Sequence, residues 1–346
     1  MFDRLRDYVA GDDYRDIAWK ASARHLKLIV REYRLDRSQE VLVCVDRGHR
    51  MAARVSGLSR LDHALNRGDD PPRTRRLKGI AALAILLVVA LLAGTLLHGL
   101  ARVAPFGILI EILAIAVLIA QRDLADHVRA VADALAGAGL SGGRRAVSRI
   151  VGRDPDSLDE AGVCRAAIES LAENFADGVV APALWYAVLG LPGLLAYKAL
   201  NTADSMIGHR TDRHRDFGRA VARADDLANF PASRLSALLI TTAAMVTLGR
   251  ASARAGIEAV HGSAKRHRSP NAGWPEAAMA GALGVALAGP RRYGAELVDD
   301  AWMNPAGRRD LDASDIGRAL SLFRISCLLL AGLVAFLFIL TLAAGV

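Results

Sequence analysis

Cysteine and aromatic residues are both scarce in this sequence. The three cysteines, at positions 44, 164 and 327, are an odd number with no CxxC pair, which excludes a disulfide framework and a cysteine-based zinc site. Aromatic residues make up only 5% of the chain, and the arginines behind its net charge of +8 lie mainly in loops beside apolar runs. These features argue against nucleic-acid binding and are typical of the positive-inside rule of membrane proteins.

Charge is missing from long stretches of the chain. Residues 80–97 and 325–346 carry no charged side chain, and residues 103–121 carry only Glu111, an intramembrane acid with either a functional or a structural role. Each stretch is long enough for a helix to cross a bilayer. A basic cluster precedes the first stretch, and the polar N-terminus lacks the pattern of a signal peptide. We therefore expect an all-α, multi-pass protein of the bacterial inner membrane with a cytoplasmic N-terminus.

Residues 1–58 have a different pattern from the rest of the chain. Two short β-branched runs, at 26–30 and 40–45, are bounded by polar turns and predict strands. The segment GDDYRDIAWKASARHLKLIVREYRLDRSQEVLVCVD resembles part of a von Willebrand A-like family of unknown function that is usually found beside MoxR-type ATPases. So short a fragment cannot bury a sheet of its own. We expect two parts, this fragment at 1–58 and an integral-membrane domain at 59–346.

The uncharged run at 179–197 is interrupted by the sequence Gly-Leu-Pro-Gly at 190–193. Proline and glycine together favour a break in a helix. A simple crossing would also place the arginine-rich segment 210–223 on the outer side, against the charge rule. We therefore prefer a re-entrant helical hairpin, which returns Lys198 to the side of the membrane where Asp177 lies, and a simple crossing is the alternative.

Acidic residues precede this run at helical spacing. Glu169, Glu173 and Asp177 stand at i, i+4 and i+8 and form one stripe, which is costly unless a cation offsets the like charges. Magnesium is usually held by one or two carboxylates, with substrate phosphates completing its shell. We take these three residues as candidate Mg²⁺ ligands with Asn174 beside them, and a solvated acidic face is the alternative.

A second polar group follows the run. Lysine, amide and hydroxyl side chains share one helix face there, at i, i+3, i+4 and i+7, with an aspartate beside them: Lys198, Asn201, Thr202, Ser205 and Asp204. A lysine among such groups suits a phosphate or acyl-phosphate oxygen. The segment 225–234 repeats the theme with Asp225, Asp226, Asn229 and Arg234. Arg234 could clamp an anion at the membrane edge.

Five segments of this chain, in this order, resemble the CbiB/CobD-type adenosylcobinamide-phosphate synthases of cobalamin biosynthesis. They are VGRD (151–154), ESLAENFADGVVAP (169–182), YKALNTADSMIGH (197–209), FGRAVARADDLANFPASR (217–234) and SPNAGWPEAAMAGALGVALAGP (269–290). The resemblance runs from about residue 58 to the C-terminus. It implies an ATP- and Mg²⁺-dependent amide synthase that joins a corrinoid, adenosylcobyric acid, to aminopropanol or aminopropanol phosphate.

The implied reaction needs an activated acyl group, such as an acyl phosphate, and an amine that attacks it. We expect Lys198 and Arg234 to steady phosphate oxygens, and one of Asp204, Asp225 and Asp226 to accept the ammonium proton. The resemblance also adds Ser269 and Asn271 to the substrate-binding candidates Asn174, Asn201, Thr202, Ser205 and Asn229. The sequence contains no P-loop motif.

Two other classes of function remain open on the sequence. Broken helices with polar groups near the membrane are what secondary transporters use, so a transporter of a corrinoid or another anionic metabolite is the first alternative. A non-catalytic scaffold, in which the N-terminal fragment recruits an ATPase, is the second. The expected partners are membrane lipid and the corrinoid and amine substrates, without nucleic acid, and a homo-oligomer is left open.

Overall fold

The computed structural model describes residues 2–7, 29–33, 62, 64–67, 69–151, 155–208, 211, 213–293, 296–298 and 300–343. The chain divides into two units, Met1–Ser38 and Gln39–Val346. The described part of the first unit is an antiparallel pair of strands, β1 (Phe2–Asp7) and β2 (Ile29–Tyr33). β2 overlaps the strand predicted at 26–30, β1 was not predicted, and the strand predicted at 40–45 lies outside the described residues.

The described part of the second unit is built almost entirely from helices. In chain order they are α1 (Pro72–Val103), α2 (Gly107–Leu118), α3 (Gln121–Val147), α4 (Glu160–Phe175), α5 (Ala181–Ala203), α6 (Arg219–Thr247), α7 (Arg250–Ser263), α8 (Gly273–Leu283) and α9 (Ala313–Ala343). One π-helical turn, Ala176–Val180, joins α4 to α5, and a second, Asp204–Gly208, follows α5. Short antiparallel pairs, β3 (Leu287–Ala288) with β6 (Trp302–Met303) and β4 (Arg291–Tyr293) with β5 (Glu296–Val298), lie between α8 and α9.

Among the described residues, four helical stretches are long and apolar enough to cross a membrane by length and composition. They are Pro72–Val103, Glu160–Gly208, Arg219–Thr247 and Ala313–Leu340. Large apolar side chains stand exposed along the first and the last of them, including Leu92, Leu96 and Phe338. Such a surface suits lipid better than water. The structure thus confirms an all-α, multi-pass membrane protein.

The second predicted span is shorter than expected. Helix α2 has 12 residues, or about 18 Å at 1.5 Å per residue, whereas a bilayer core is about 30 Å thick. Of the expected residues 103–121, Val103 is the last of α1, residues 104–106 form a turn in which Phe106 is left-handed with φ 59°, and Gln121 is the first of α3. The helix ends where the Ala120 N–H donates to the Gly178 carbonyl at 3.1 Å.

The chain reverses direction within α5, at Gly190. This residue has φ 64° and ψ −152°, a conformation open mainly to glycine. The Tyr197 hydroxyl donates to the Asp177 carbonyl at 2.8 Å, although a straight helix would hold residues 20 positions apart about 30 Å from each other. A Cβ atom on Gly193 would lie 2.4 Å from the Trp185 carbonyl oxygen. The predicted helical hairpin is therefore confirmed.

A second hairpin of the same form lies in α3. Gly139 has φ 60° and ψ −159°, close to the values at Gly190. A Cβ atom on Gly142 would lie 2.7 Å from the carbonyl oxygen of Ala134, eight residues earlier. Gly193 makes the same close approach to the carbonyl oxygen of Trp185, also eight residues earlier. The two turns share the sequence Gly-Leu-x-Gly, at 139–142 and 190–193. The first glycine supplies the positive φ and the last one lets the two arms meet.

Helix α1 lies along the α5 hairpin. Its Gly79 meets the backbone of Phe217 and its Gly94 meets that of Pro192, each closely enough to exclude a Cβ atom. The two contacts are roughly 22 Å apart along the helix. Near the turn of the hairpin, Glu111 of α2 contacts His98 of α1 at 2.8 Å and accepts from the Tyr186 hydroxyl at 3.4 Å. The intramembrane acid thus joins three helices.

Candidate functional site

Two of the predicted acids lie on π-helical turns. Asp177 is on the turn Ala176–Val180 and Asp204 is on the turn Asp204–Gly208. π-turns are rare and occur often at functional sites, because the wider turn alters the direction of its side chains. The α5 hairpin brings the two turns to the same end of the molecule. The sequence segments that contain them therefore face each other, as the hairpin prediction required.

A hydrogen-bonded chain runs between the hairpin and α6. The Tyr197 hydroxyl lies within hydrogen-bond distance of the Asp177 carbonyl, at 2.8 Å, and of Asn229 Oδ1, at 2.7 Å. Asn229 in turn donates from Nδ2 to Asp225 Oδ2 at 2.9 Å. Tyr197 is buried, and the sequence predictions did not include it. Its position directly before Lys198, inside a polar helix face, was the signal that could have identified it.

Lys198 and Asp225 are buried with unsatisfied charged atoms. Their relative exposures are 5% and 8%. In the part of the chain that the structure describes, neither Lys198 Nζ nor Asp225 Oδ1 has a hydrogen-bond partner. Burying a charged group without partners costs several kcal/mol. Such an arrangement favours a ligand that supplies the missing partners.

The surrounding side chains make this site acidic. The charges of Asp225, Glu173, Asp204 and Lys198 all act on Asp177, and Asn201 lies beside the Asp225 carboxylate. The side chains that face one another here are called the acidic cluster: Asp177, Asp204, Asp225 and Lys198. Its three carboxylates and one ammonium have a net charge of 1 − 3 = −2 when all four are ionised. The cluster therefore attracts cations, while Lys198 offers one fixed positive charge to an anion.

Glu169 lies apart from these carboxylates. It is 3% exposed, and its Oε1 accepts from the Ala288 N–H at 2.7 Å. Among the described residues, no group of three or more His, Cys, Asp or Glu side chains could hold a metal ion. The predicted ligands Glu169, Glu173 and Asp177 therefore do not form such a group. The Glu169 side chain instead contacts the backbone of Ala288, a left-handed residue with φ 60°. The unsatisfied oxygen of Asp225 fits an ion shared with substrate phosphates.

Arg234 binds the loop before α8. It donates from Nη1 to Asn271 Oδ1 at 2.7 Å and from Nη2 to the Pro270 carbonyl at 3.2 Å. Its guanidinium carbon is 3.7 Å from the ring centre of Phe230 and 4.4 Å from that of Trp274. These contacts are internal to the protein and hold the guanidinium against the loop, and the role of Arg234 as an anion clamp stays a prediction.

Asn271 is a second link between that loop and the site. It donates from Nδ2 to the Asp226 carbonyl at 2.8 Å, next to Asp225 in the chain. The Ser269 hydroxyl accepts from the N–H groups of Asn271 and Ala272, each at 3.2 Å. Both predicted loop residues thus fix the loop against α6, in the manner of a helix cap.

The remaining candidates have local contacts or face solvent. Asn174 donates to the Ser170 carbonyl at 2.9 Å, and the Ser205 hydroxyl donates to the Asn201 carbonyl at 3.1 Å. Thr202 and Glu173 are half-buried, whereas Asp226 is exposed. The structure therefore brings Asp177, Lys198, Asn201, Asp204, Asp225 and Asn229 together and places the other predicted residues around them.

A charged clamp holds the segment that follows the second π-turn. Asp62 contacts Arg213 Nη2 at 2.7 Å and His214 Nε2 at 3.4 Å, and it accepts from Asn66 Nδ2 at 2.7 Å. Burial by itself raises the pKa of Asp62, but the hydrogen bonds from His214 and Asn66 and the nearby positive charges outweigh it and lower the pKa to about 2. The carboxylate therefore remains ionised at neutral pH.

The family comparison covers most of the chain. Residues 45–323 match the family model described as CobD/Cbib protein, and residues 4–65 match one described as Protein of unknown function DUF58. The two matches overlap at 45–65, a range that contains the predicted boundary at 58. The VGRD segment lies in the first match, although residues 152–154 are outside the described structure.

Several curated proteins are similar over most of their own length. A protein of Sinorhizobium fredii (strain NBRC 101917 / NGR234) is 57% identical over 271 residues, covering 78% of this chain and 83% of the relative. One from Rhizobium meliloti (strain 1021) is 56% identical over 77% of this chain and 82% of the relative, and one from Rhodobacter capsulatus is 46% identical over 82% and 89%. All three are named Cobalamin biosynthesis protein CobD.

No solved structure matches the chain significantly. The family model nevertheless covers well over half of the sequence, and all the residues that the structure brings together in the acidic cluster lie inside the matched range. This chain belongs to the CobD/Cbib family.

Proposed function

We propose that this chain is an enzyme of cobalamin biosynthesis that forms an amide bond. Its substrates are the free carboxylate of adenosylcobyric acid and the amine of aminopropanol or aminopropanol phosphate, and ATP supplies the driving force. The product is adenosylcobinamide or its phosphate. Support comes from the family membership, from the names of the curated relatives and from the side chains at the acidic cluster.

The observation that carries the proposal is the ammonium of Lys198, which is buried, has no hydrogen-bond partner among the described residues and lies near the Asp177 carboxylate. Amide formation through an acyl phosphate brings both charge types to one place, since phosphate oxygens are anionic and the attacking amine arrives as an ammonium. A lysine for the phosphate and aspartates for the ammonium are the groups that such a reaction requires.

The chemistry has two steps. The corrinoid carboxylate attacks the γ-phosphorus of ATP, which forms an acyl phosphate and releases ADP. The deprotonated amine then attacks the acyl carbon, the bond to the phosphate oxygen breaks, and inorganic phosphate leaves. Lys198 binds the transferred phosphoryl oxygens in both steps, and Asp204 or Asp225 accepts the proton from the ammonium.

Magnesium fits this site as an ion shared with the substrate. Asp225, through its unsatisfied Oδ1, and Asp177 would hold it together with phosphate oxygens. When bound, Mg²⁺ would neutralise charge on the phosphates of ATP. Asn229 and Tyr197 orient the Asp225 carboxylate through the hydrogen-bonded chain.

The cluster is proposed to face the cytoplasm of a bacterial inner membrane. The segment after the second π-turn is arginine-rich, with Arg215, Arg219 and Arg223 exposed beside the cluster. Arginine-rich segments next to membrane helices are retained on the cytoplasmic side. ATP and corrinoid precursors are then available from the same compartment.

The proposal is tested with purified full-length protein in lipid nanodiscs. With adenosylcobyric acid, aminopropanol phosphate, ATP and Mg²⁺, we expect a new corrinoid whose mass equals that of the amide, and one ADP released per product. Lys198→Met should abolish both, whereas Lys265→Met, at an exposed lysine outside the cluster, should leave both unchanged. Uptake of unmodified corrinoid into sealed vesicles, without ADP release, would favour the transporter.

A further inference from the structure

A cavity of about 480 Å³ lies where α2 ends, α3 begins and α9 passes beside them. None of the residues that line it belongs to the acidic cluster. Its walls combine apolar side chains, Ile115, Ile119 and Phe323, with the guanidinium groups of Arg122, Arg129 and Arg324. The volume is within the range of small-ligand sites in proteins.

The charges in this cavity favour an anion. Asp126 contacts Arg122 at 3.5 Å and Arg129 at 2.8 Å. Arg324 is exposed and, within the described part of the chain, has no hydrogen-bond or ion-pair contact among those the structure shows. The three arginines and one aspartate give a net charge of 3 − 1 = +2. Asp126 thus pairs with two of the guanidinium groups and still leaves an excess of positive charge.

The apolar wall shows what else the anion must carry. Ile112 and Ile108, about one and two turns before Ile115 on the same face of α2, are 54% and 63% exposed. They continue the apolar surface of Ile115 and Ile119 away from the arginines. A phosphate bound at the arginines would leave any attached hydrocarbon chain against this surface.

The cavity also lies at a membrane boundary. Arg324 directly precedes residues 325–343 of α9, which carry no charged side chain. Ala120, just beyond α2, donates to the carbonyl of Gly178 at 3.1 Å, so this end of α2 is level with the first π-turn. Basic pockets between membrane helices at this depth are suited to the headgroups of acidic lipids.

We propose that this cavity binds an anionic phospholipid, with the headgroup phosphate between Arg122, Arg129 and Arg324 and the acyl chains along α2. The net charge selects a lipid with a net negative charge over a zwitterionic one. The apolar wall selects a lipid over a soluble phosphate. The Phe323 ring packs edge-on against Phe175, with ring centres 5.5 Å apart, so the bound lipid would lie beside the helix that leads into Asp177.

The test is native mass spectrometry of the full chain in detergent, titrated with dioleoylphosphatidylglycerol or with dioleoylphosphatidylcholine. We expect one phosphatidylglycerol to be retained at least about 10-fold more tightly than phosphatidylcholine. The double variant Arg122→Gln/Arg324→Gln should weaken this binding about 30-fold, at about tenfold or less per arginine removed. Arg145→Gln, an exposed arginine elsewhere on α3, should leave it unchanged.

Three outcomes would overturn the proposal. Equal retention of the two lipids would show that the arginines do not select charge. Unchanged phosphatidylglycerol binding in the double variant, with its circular dichroism melting curve like that of the parent, would place the lipid elsewhere. Displacement of phosphatidylglycerol by millimolar inorganic phosphate or ATP would assign the cavity to a soluble anion.

Discussion

Asp225 offers a substitution that should separate stability from activity. Its carboxylate is 8% exposed, accepts a hydrogen bond from Asn229 and lies beside Asn201, while its Oδ1 has no partner among the described residues. The charges of Asp177 and Asp204 add repulsion. Asp225→Asn keeps the shape of the side chain and removes its charge. We expect this variant to be more stable than the parent and inactive.

The magnitude follows from these contacts. Removing a buried, half-satisfied charge among like charges relieves about 1–3 kcal/mol. The bond from Asn229 persists but is no longer charge-assisted, which costs about 1 kcal/mol. The net expectation is a stabilisation of about 1 kcal/mol in the substrate-free protein. The Asp225 carboxylate is proposed to hold Mg²⁺ and is one of the two proposed proton acceptors, so its loss should lower the synthesis rate at least about 100-fold.

Asp315 provides the matched control, because it is a buried aspartate whose oxygens are all satisfied. It is 0% exposed and accepts from Arg308 at 2.7 Å on both oxygens and from Arg318 at 3.1 Å. Asp315→Asn should therefore destabilise the fold by about 2–3 kcal/mol. The folded fraction should keep its kcat and KM.

Both variants are compared by thermal unfolding in detergent without substrate and by the rate of amide formation in nanodiscs. The reasoning predicts opposite signs for the two changes in stability and a loss of rate for Asp225→Asn alone. It would be refuted by an Asp225→Asn protein that is less stable than the parent and retains its rate.

Three further predictions concern the turn, the loop and the clamp. Gly193→Ala should destabilise the fold by at least about 2 kcal/mol, since its Cβ would meet a carbonyl oxygen at 2.4 Å. Gly137→Ala is the control, because a Cβ atom there meets nothing within 4 Å, and it should stabilise the fold by about 0.5–1 kcal/mol. Thermal unfolding measures both changes. Arg234→Lys should cost about 2 kcal/mol and speed proteolytic cleavage at 267–273, because lysine cannot replace the paired bonds and ring contacts; unchanged cleavage would contradict this. Asp62→Asn should destabilise the protein by about 1 kcal/mol at pH 7, allowing for solvent screening. Since the folded pKa is lowered from 3.8 to about 2, that difference should shrink as the pH falls from about 4 towards 2, and a pH-independent difference would contradict the clamp.

The sequence predicted the α5 hairpin because two local signals agreed. Gly-Leu-Pro-Gly favours a break, and the arginines after it favour a return to the same side. The contact between Tyr197 and Asp177 followed from that topology. The equivalent turn at Gly139 was not predicted, because its arms are amphipathic and carry no membrane signal.

The contacts of Arg234 and Glu169 were harder to predict, since both side chains meet distant parts of the chain. The Arg234 side chain is held by Asn271, 37 positions away, and the Glu169 side chain by Ala288, 119 positions away. Helical spacing shows which side chains share a face but not which loop covers that face. The length of α2 was misjudged for a similar reason, because its end is set by a bond from Ala120 to Gly178.

The central claim is that the cluster around Lys198 and Asp225 forms an amide at the expense of ATP. The most direct measurement is single-turnover analysis of the purified protein with adenosylcobyric acid and γ-³²P-labelled ATP, with and without aminopropanol phosphate. We predict that label becomes bound to the corrinoid without the amine, and is released as inorganic phosphate in step with amide formation when the amine is added. An amide that forms with no phosphate transfer to the corrinoid, or a corrinoid that is never modified, would contradict the account.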